Sequence, residues 1–138
     1  MKVVYPAEVN KGKNGQFTAF LPDFPDIHTE GGKTTGEALE NASRALTFAL
    51  EKLVKKGMDI PHPGEKGKHL VAPAARVQAA ILLRFARGSQ SIAQIARALD
   101  TSWPSAQKLE DPTHSPSLRS LEKAAAAMGK KLIIEIKT

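Results

Sequence analysis

The sequence predicts an α+β protein in which a small sheet covered by one helix is followed by a set of short helices. Three observations lead to this prediction. Residues 3–21 have the pattern of a hairpin around an Asn-Gly pair, and residues 38–54 have one broad apolar face at helical spacing. Residues 91–112, SIAQIARALDTSWPSAQKLEDP, have the spacing of two short helices joined by a tight turn.

The first elements of the chain are predicted to be strands. Val3–Val9 contains β-branched residues in loose alternation, and Lys11–Gly15 follows as a turn whose Asn-Gly pair favours a hairpin. Gln16–Leu21 is the returning strand, and Ile27–Glu30, after a Pro-Asp-Phe-Pro-Asp corner, is predicted to be a third short strand. Because isolated hairpins are marginally stable, we expect a helix to cover one face of this sheet.

That helix is predicted to begin at Thr34, which has the capping-box spacing with Glu37, and to stop at Gly57. Its apolar face consists of Ala38, Leu39, Ala42, Ala45, Leu46, Ala49, Leu50, Leu53 and Val54. A Pro/Gly-rich polar segment at residues 61–68 then indicates a linker, and His69–Ala72 is a candidate fourth strand.

Two domains are predicted, residues 1–72 with the linker included and residues 73–138. The net charge of +6 is unevenly divided between them, because residues 1–68 carry ten Lys/Arg against nine Asp/Glu and residues 69–138 carry ten against five. The second half is therefore the one suited to neutralise phosphates. The chain has no cysteine, no apolar run of membrane-spanning length and no signal-like start, so a cytoplasmic protein is expected.

Helices dominate the predicted second domain. Pro73–Arg87 is a helix that stops at Gly88, and Ser117–Met128 is a helix that stops at Gly129. The buried stripe of the former consists of Val77, Ile81, Leu82 and Phe85. Leu132–Ile136 is predicted to be a final strand whose apolar residues need a partner.

The two short helices between them have capping residues at both starts. Ser91 forms a capping box with Gln94, residues 100–102 form the turn, and Ser102 caps the second helix. A second helix that is free to present its outer side chains fits the geometry of a helix-turn-helix in a major groove. The alternative is that these are two ordinary helices of an α-helical domain.

Six residues are predicted to bind DNA: Ser91, Ser102, Trp103, Ser105, Gln107 and Lys108. Gln107 can pair with adenine, and Lys108 can bind guanine or phosphate. Serines at helix starts can reach phosphates. Trp103, the single tryptophan, is expected at the exposed start of the second helix, although a large aromatic side chain could instead pack into the core.

A family resemblance rests on the string PDFPDIHTEGGKTTGEALENASRAL at residues 22–46. Its Pro-Asp-x-Pro corner, its Gly and its Thr-x-x-Glu-Ala-x-x-Asn-Ala helix start resemble the N-terminal signature of HicB-type antitoxins. Downstream, Ala-x-x-Met-Gly-Lys-Lys-Leu resembles the helix-turn-helix branch of that family. The resemblance covers nearly the whole chain, with departures at Asp26, Gly36 and Asp100.

The resemblance implies a partial RNase H-like β-β-β-α-β domain that blocks a HicA-type mRNA-cleaving toxin, and a helix-turn-helix domain that binds the operator of its own operon. It implies an antitoxin and repressor without enzymatic activity or cofactor. Because such toxins are typically basic, Asp23, Asp26 and Glu30 are predicted toxin contacts, with Phe24 as an apolar anchor. His28 is a further candidate, because a histidine of this domain reaches the toxin's cleft in some relatives; an ordinary surface histidine is the alternative.

A homo-oligomer, either a dimer or a tetramer, is expected from the end of the chain. The predicted dimerisation residues are Leu132, Ile133, Ile134 and Ile136. A strand of this composition needs cover, and the same strand of a second copy would supply it. The alternative is that the strand packs within its own subunit.

Two other functions are alternatives to this one. A stand-alone regulator would bind a small effector with its first domain. An RNase H-like nuclease would need converging carboxylates, and nothing in the spacing brings Glu8 to Asp23, Asp26 and Glu30. The four histidines have no ligand spacing, so no metal is predicted.

Overall fold

The computed structural model describes residues 1–65 and 67–137, and the chain divides into two compact units, Met1–Gln78 and Ala79–Thr138. The assigned elements are β1 Tyr5–Lys11, β2 Phe17–Phe20, α1 Thr35–Lys55, β3 His69–Val71, α2 Ala75–Arg87, α3 Ile92–Ala98, α4 Trp103–Lys108 and α5 Leu118–Ala127. This mixed architecture agrees with the predicted α+β class. The division between the units falls within α2. Lys66 of the predicted linker and Thr138 of the predicted second domain lie outside the described residues.

The strands of the first unit form one antiparallel sheet in the order β2-β1-β3. In the hairpin, Lys11 lies opposite Phe17, and Gly15 adopts a φ of +79° that favours glycine in the turn. On the other side of β1, Tyr5 lies opposite Val71. The predicted hairpin and the fourth predicted strand are therefore confirmed.

The third predicted strand, Ile27–Glu30, is wrong. Its backbone forms no ladder with β2, and the segment meets that strand at one isolated bridge between Phe17 and Gly32. The hydroxyl of Thr29 donates a hydrogen bond to the carbonyl of Ala19 over 2.7 Å. The Thr29 side chain thus donates to a carbonyl that the backbone of a third strand would otherwise have bonded. The first unit therefore has the element order β-β-α-β.

Helix α1 covers one face of the sheet, as predicted. The hydroxyl of Thr34 accepts from the backbone N–H of Glu37 over 3.1 Å, and Gly57 ends the helix with a φ of +67°. Its fully buried residues are Ala38, Ala42, Leu46 and Leu50, whereas Leu39, Ala45, Ala49, Leu53 and Val54 are only partly buried. The buried stripe is therefore narrower than the apolar face of the sequence, as expected for one helix on a small sheet.

Hydrogen bonds attach the residues after β3 to α1. The Ser43 hydroxyl donates to the carbonyl of Ala72 over 2.6 Å, and the backbone N–H of Ala74 donates to the Thr47 hydroxyl oxygen over 2.9 Å. Arg76 forms an ion pair with Glu51 of α1. The start of α2 therefore belongs to the first unit.

The second unit is built around a core cluster of Leu83, Ile95, Ala124 and Met128. The predicted buried stripe of α2 is partly wrong, since Leu82 and Phe85 are only partly buried. Leu83 is buried in their place, because the second unit packs against the flank of α2 that carries Leu83. The predicted end of α5 is confirmed by Gly129, whose φ is +76°.

The predicted strand at Leu132–Ile136 is not present in the isolated chain. Residues 131–137 have no regular secondary structure, and Ile133, Ile134 and Ile136 are 76%, 62% and 92% exposed. A strand is stabilised by backbone hydrogen bonds to a neighbour, and no other segment among the described residues pairs with this one. The alternative of a strand packed within its own subunit is therefore also not seen.

A matched pair of substitutions tests the orientation of α2. We expect Leu83→Ala to lower the free energy of unfolding of the second unit by about 2–5 kcal/mol, because it leaves a cavity in the core. Leu82→Ala, at a partly buried neighbour, should cost less than half as much. Denaturant titration followed by circular dichroism and by the single tryptophan measures both changes. Equal losses would contradict the orientation.

Candidate functional site

The first candidate site is the surface formed by α3, α4 and their turn. The hydroxyl of Ser91 accepts from the backbone N–H of Gln94 over 3.1 Å, and the Gln94 side chain accepts from the backbone N–H of Ser91 over 2.7 Å. The predicted capping box is therefore confirmed. Asp100 adopts a φ of +52° in the turn, and the N–H of Thr101 closes it on the carbonyl of Ala96 over 2.9 Å. Asp tolerates this left-handed conformation better than most residues.

Helix α4 has one inner residue and an exposed outer surface. Ala106 is buried, whereas Trp103, Gln107 and Lys108 are exposed. The indole of Trp103 is 48% exposed, so it lies on the surface and not in the core of the unit. The small inner residue lets α4 lie close to its neighbour α3 while the outer side chains remain available for a partner.

Ser102, the N-cap residue of α4, and Ser105 are hydrogen-bonded to each other. The hydroxyl of Ser102 accepts from the backbone N–H of Ser105 over 3.2 Å and lies 2.9 Å from the Ser105 hydroxyl oxygen. All six residues predicted to bind DNA are exposed and lie on or at the start of α3 and α4. Arg97, an exposed cation in the last turn of α3, adds to the positive charge of this surface and had no distinguishing motif in the sequence.

A bidentate ion pair connects α2 to the residues just after α4. The Nε and Nη2 atoms of Arg87 lie 2.6 and 3.0 Å from the two carboxylate oxygens of Glu110, and Nη1 donates to the carbonyl of Gln90 over 2.7 Å. The hydrogen bonds that Arg87 donates to Glu110 raise the pKa of Arg87, against an opposing effect of burial. No local sequence signal had indicated this pair, because its partners are far apart along the chain.

The second candidate site is the acidic corner after β2. Asp26, His28 and Glu30 are exposed there, whereas Asp23 is partly buried and accepts from the backbone N–H of Gly64 over 2.9 Å. Three of the five residues predicted to bind a toxin are therefore fully on the surface. Asp23 has a structural partner that accounts for its position.

Phe24, the predicted apolar anchor, is a core residue in the free protein. It is 8% exposed, and its ring packs edge-on against Tyr5 with 4.8 Å between the centroids. The turn hydrogen bonds of the Pro-rich corner direct it inward. Burial, reinforced by the charge of Asp23, raises the pKa of the Tyr5 hydroxyl to about 12, and this hydroxyl donates to the carbonyl of Pro61 over 2.7 Å.

The exposed apolar side chains of the sheet lie on the face opposite α1. Phe20 of β2 is 42% exposed and lies opposite Glu8 of β1, and Leu70 of β3 is also exposed. Because side chains alternate along a strand and Ala19 of β2 is buried, the alternation of β2 is the sequence signal that Phe20 lies on the other face. Phe20 thus presents the exposed aromatic ring that was predicted for Phe24.

Metal chemistry has no support in residues 1–65 and 67–137, where no three His, Asp or Glu side chains come together to hold an ion. The described helices also include none with both the length and the apolar character needed to cross a membrane. The two candidate sites are an outward-facing helix on a unit with an excess of Lys and Arg, and an acidic corner beside a partly apolar sheet face.

Comparison with known proteins gives one consistent result. Residues 4–79 match the family model described as the HicB-like antitoxin of bacterial toxin-antitoxin systems. The chain is similar to antitoxin HicB 2 of Photorhabdus laumondii, with 32% identity over 93% of this chain and 92% of that protein. It is also similar to antitoxin HicB 1 of that organism, with 29% identity over 96% and 86%, and to antitoxin HicB of Escherichia coli K12, with 25% over 93% and 95%.

The two phenylalanines of this region provide a matched test of burial. We expect Phe24→Ala to destabilise the first unit by about 3–5 kcal/mol, because it removes a packed ring from beneath Tyr5. Phe20→Ala removes a ring that is largely in water and should cost about 1 kcal/mol or less. Thermal unfolding followed by circular dichroism compares the two. A larger loss for Phe20→Ala would mean that the sheet face is covered and Phe24 is not.

Proposed function

The chain belongs to the HicB-like antitoxin family, and from this we propose that it neutralises a HicA-type toxin with its first unit and represses its own operon with its second. The observation that carries the proposal is the family match over residues 4–79, which spans the first unit. The finer fold assignments, a partial RNase H-like first unit and a helix-turn-helix second unit, are part of the same proposal. Both proposed partners are cytoplasmic, and the protein would act there as a binding protein without catalysis.

Toxin neutralisation would use the acidic corner and the adjoining sheet face. Asp26 and Glu30 are exposed carboxylates that suit a basic, RNA-binding partner, and His28 lies on the surface between them. Phe20, next to Glu8, supplies the aromatic contact that buried Phe24 does not offer to a partner. The inhibition would be steric, since a bound antitoxin keeps RNA from the cleaving surface of the toxin.

Operator binding would place α4 in the major groove. Gln107 and Lys108 are exposed on its outer side, and their side chains can pair with base edges or phosphates. Because operators of dimeric repressors are symmetric, two copies would contact half-sites about 34–36 Å apart or a multiple of that spacing. A stand-alone regulator that binds a small effector is the alternative, and it requires no toxin.

Substitutions on α4 test DNA binding. We expect Gln107→Ala to weaken binding to the operator by about 1–3 kcal/mol and to leave binding to random DNA nearly unchanged, because a base contact is lost. Lys108→Ala should weaken binding to both DNAs if it contacts phosphate. Mobility-shift titrations at one salt concentration measure these effects.

Lys123→Ala, an exposed cation on α5, is the control for a general loss of positive charge. Equal losses on operator and random DNA for Gln107→Ala would assign this residue to the backbone of the DNA. Unchanged DNA binding for both α4 variants would show that α4 does not bind in the major groove.

The separation of the two activities is tested with a fragment of residues 1–78. This fragment keeps the hydrogen bonds between α1 and residues 72–76 and should fold alone. We expect it to restore growth of cells that produce the cognate toxin and to fail to repress the promoter. Co-purification with the toxin and a promoter-reporter assay measure the two outcomes. A folded fragment that does not bind the toxin would assign toxin contact to the second unit or favour the effector-binding regulator.

A further inference from the structure

The outward side of helix α1 carries an exposed aromatic ring between two cations. Arg44, Phe48 and Lys52 follow one another at intervals of four residues, so their side chains lie on one side of the helix. The ring of Phe48 is 60% exposed, and the Lys52 ammonium lies 4.3 Å from the centre of that ring. A ring this exposed contributes little to the core of the first unit. Its position is therefore better suited to a contact with a partner than to packing.

A cleft adjoins this ring, between α1 and residues 74–76 of the same unit. Its volume is about 340 Å³, within the size range of small-ligand sites. The hydroxyls of Ser43 and Thr47 on its wall already donate to the backbone carbonyls of Ala72 and Ser43. The cleft can therefore take one flat ring beside Phe48. Its lining residues are Ser43, Arg44, Thr47, Phe48, Glu51, Ala74 and Arg76.

The cleft and its rim carry an excess of positive charge. Among the described lining residues the one carboxylate is that of Glu51, and it forms an ion pair with Arg76. Arg44 donates over 3.3 Å to the side-chain oxygen of Asn41, which is neutral. Within residues 1–65 and 67–137, neither Arg44 nor Lys52 forms an ion pair with a carboxylate. Both cations are therefore available to an anionic ligand.

We propose that this surface binds single-stranded RNA, with one base stacked on Phe48 in the cleft and the adjoining phosphates on Arg44 and Lys52. Surfaces that bind single strands combine cations along the backbone with aromatic rings for the bases, because every base has a flat face. These contacts use bases and phosphates alone, and RNA is the nucleic acid that presents unstacked bases in single-stranded loops and ends. The site is separate from the proposed toxin contacts, since Phe20 lies on the sheet face opposite α1.

The placement of the cations favours a strand over other anions. Arg44 and Lys52 lie on either side of Phe48, about 12 Å apart along the helix axis. A strand continues past its stacked base in both directions and can reach both cations, whereas a free mononucleotide has its phosphate on one side only. A duplex keeps its bases inside the helix, so it offers no base face to Phe48. An acidic protein would bind the cations without needing the ring.

Fluorescence anisotropy of the full-length protein with a labelled oligouridine of roughly eight nucleotides tests the stacking. We expect Phe48→Ala to weaken binding about 5- to 150-fold, the range for the loss of one stacked base. Phe48→Tyr keeps a ring and should bind nearly as well as the unchanged protein. Phe20→Ala removes an exposed ring from the outer sheet face and is the matched control. Unchanged binding for Phe48→Ala, or an equal loss for Phe20→Ala, would overturn the inference.

The salt dependence of the same titration tests the two cations. For single strands, the logarithm of the binding constant falls with the logarithm of salt concentration, with a slope of about −0.7 for each phosphate contacted. Arg44→Ala and Lys52→Ala should therefore each reduce the steepness of this slope by about 0.7. Lys13→Ala, at an exposed cation of the hairpin turn, should leave the slope unchanged. Slopes that do not change in Arg44→Ala and Lys52→Ala would contradict the proposed phosphate contacts.

Competition with unlabelled ligands distinguishes the other occupants. Duplex RNA and free uridine monophosphate should displace the oligouridine only at much higher nucleotide concentrations than the unlabelled strand. Equal displacement by the duplex would show that charge alone is bound, and equal displacement by the mononucleotide would make a free nucleotide the ligand. Binding lost in Lys108→Ala but kept in Phe48→Ala would assign the RNA to the second unit. These titrations contain neither toxin nor operator, so their outcome is independent of the proposed function.

Discussion

The position of α4 depends on the ion pair between Arg87 and Glu110. Helix α4 has six residues, too few for a helix to be stable by itself, and it buries only Ala106. Three hydrogen bonds from Arg87 join the end of α2, the carbonyl of Gln90 before α3 and the residues that follow α4. Bidentate, partly buried pairs of this kind are stronger than ordinary surface pairs, and loss of one partner leaves the other charge poorly solvated. The ion pair between Arg87 and Glu110 therefore helps to hold the exposed side of α4 in place.

The first unit is stabilised mainly by the packing of α1 on the sheet and by side-chain hydrogen bonds to backbone groups. Its sheet is small, and α1 supplies the cover that the strands lack. The corner after β2 is fixed by Phe24 against Tyr5 and by Asp23 on the backbone of Gly64. These contacts leave Asp26 and Glu30 on a rigid support at the surface. A corner fixed by such contacts would lose little conformational entropy in the proposed complex with a toxin.

Exposed apolar side chains indicate surfaces of each unit that could bind a partner. In the first unit these include Phe20 and Leu70 on the outer sheet face, and in the second unit they include Trp103, Leu118 and the isoleucines of residues 133–136. Single exposed apolar residues are common on protein surfaces, whereas large contiguous apolar patches mark binding sites. The family assignment supplies a partner for the first unit.

Local interactions determined the elements that the sequence predicted correctly. Capping and stop residues act on their own helix ends, and they lie where predicted at Thr34, Ser91, Ser102, Gly57, Gly88 and Gly129. The features decided by tertiary structure join residues far apart in the chain: Thr29 with a strand carbonyl, Phe24 beneath Tyr5, and Leu83 in the second core. The sequence by itself also determined the family, through a motif of adjacent residues. The periodicity of apolar residues predicts which side of a helix or strand is apolar. Which flank of that side is buried depends on the elements that pack against it, and these are known only in the folded chain.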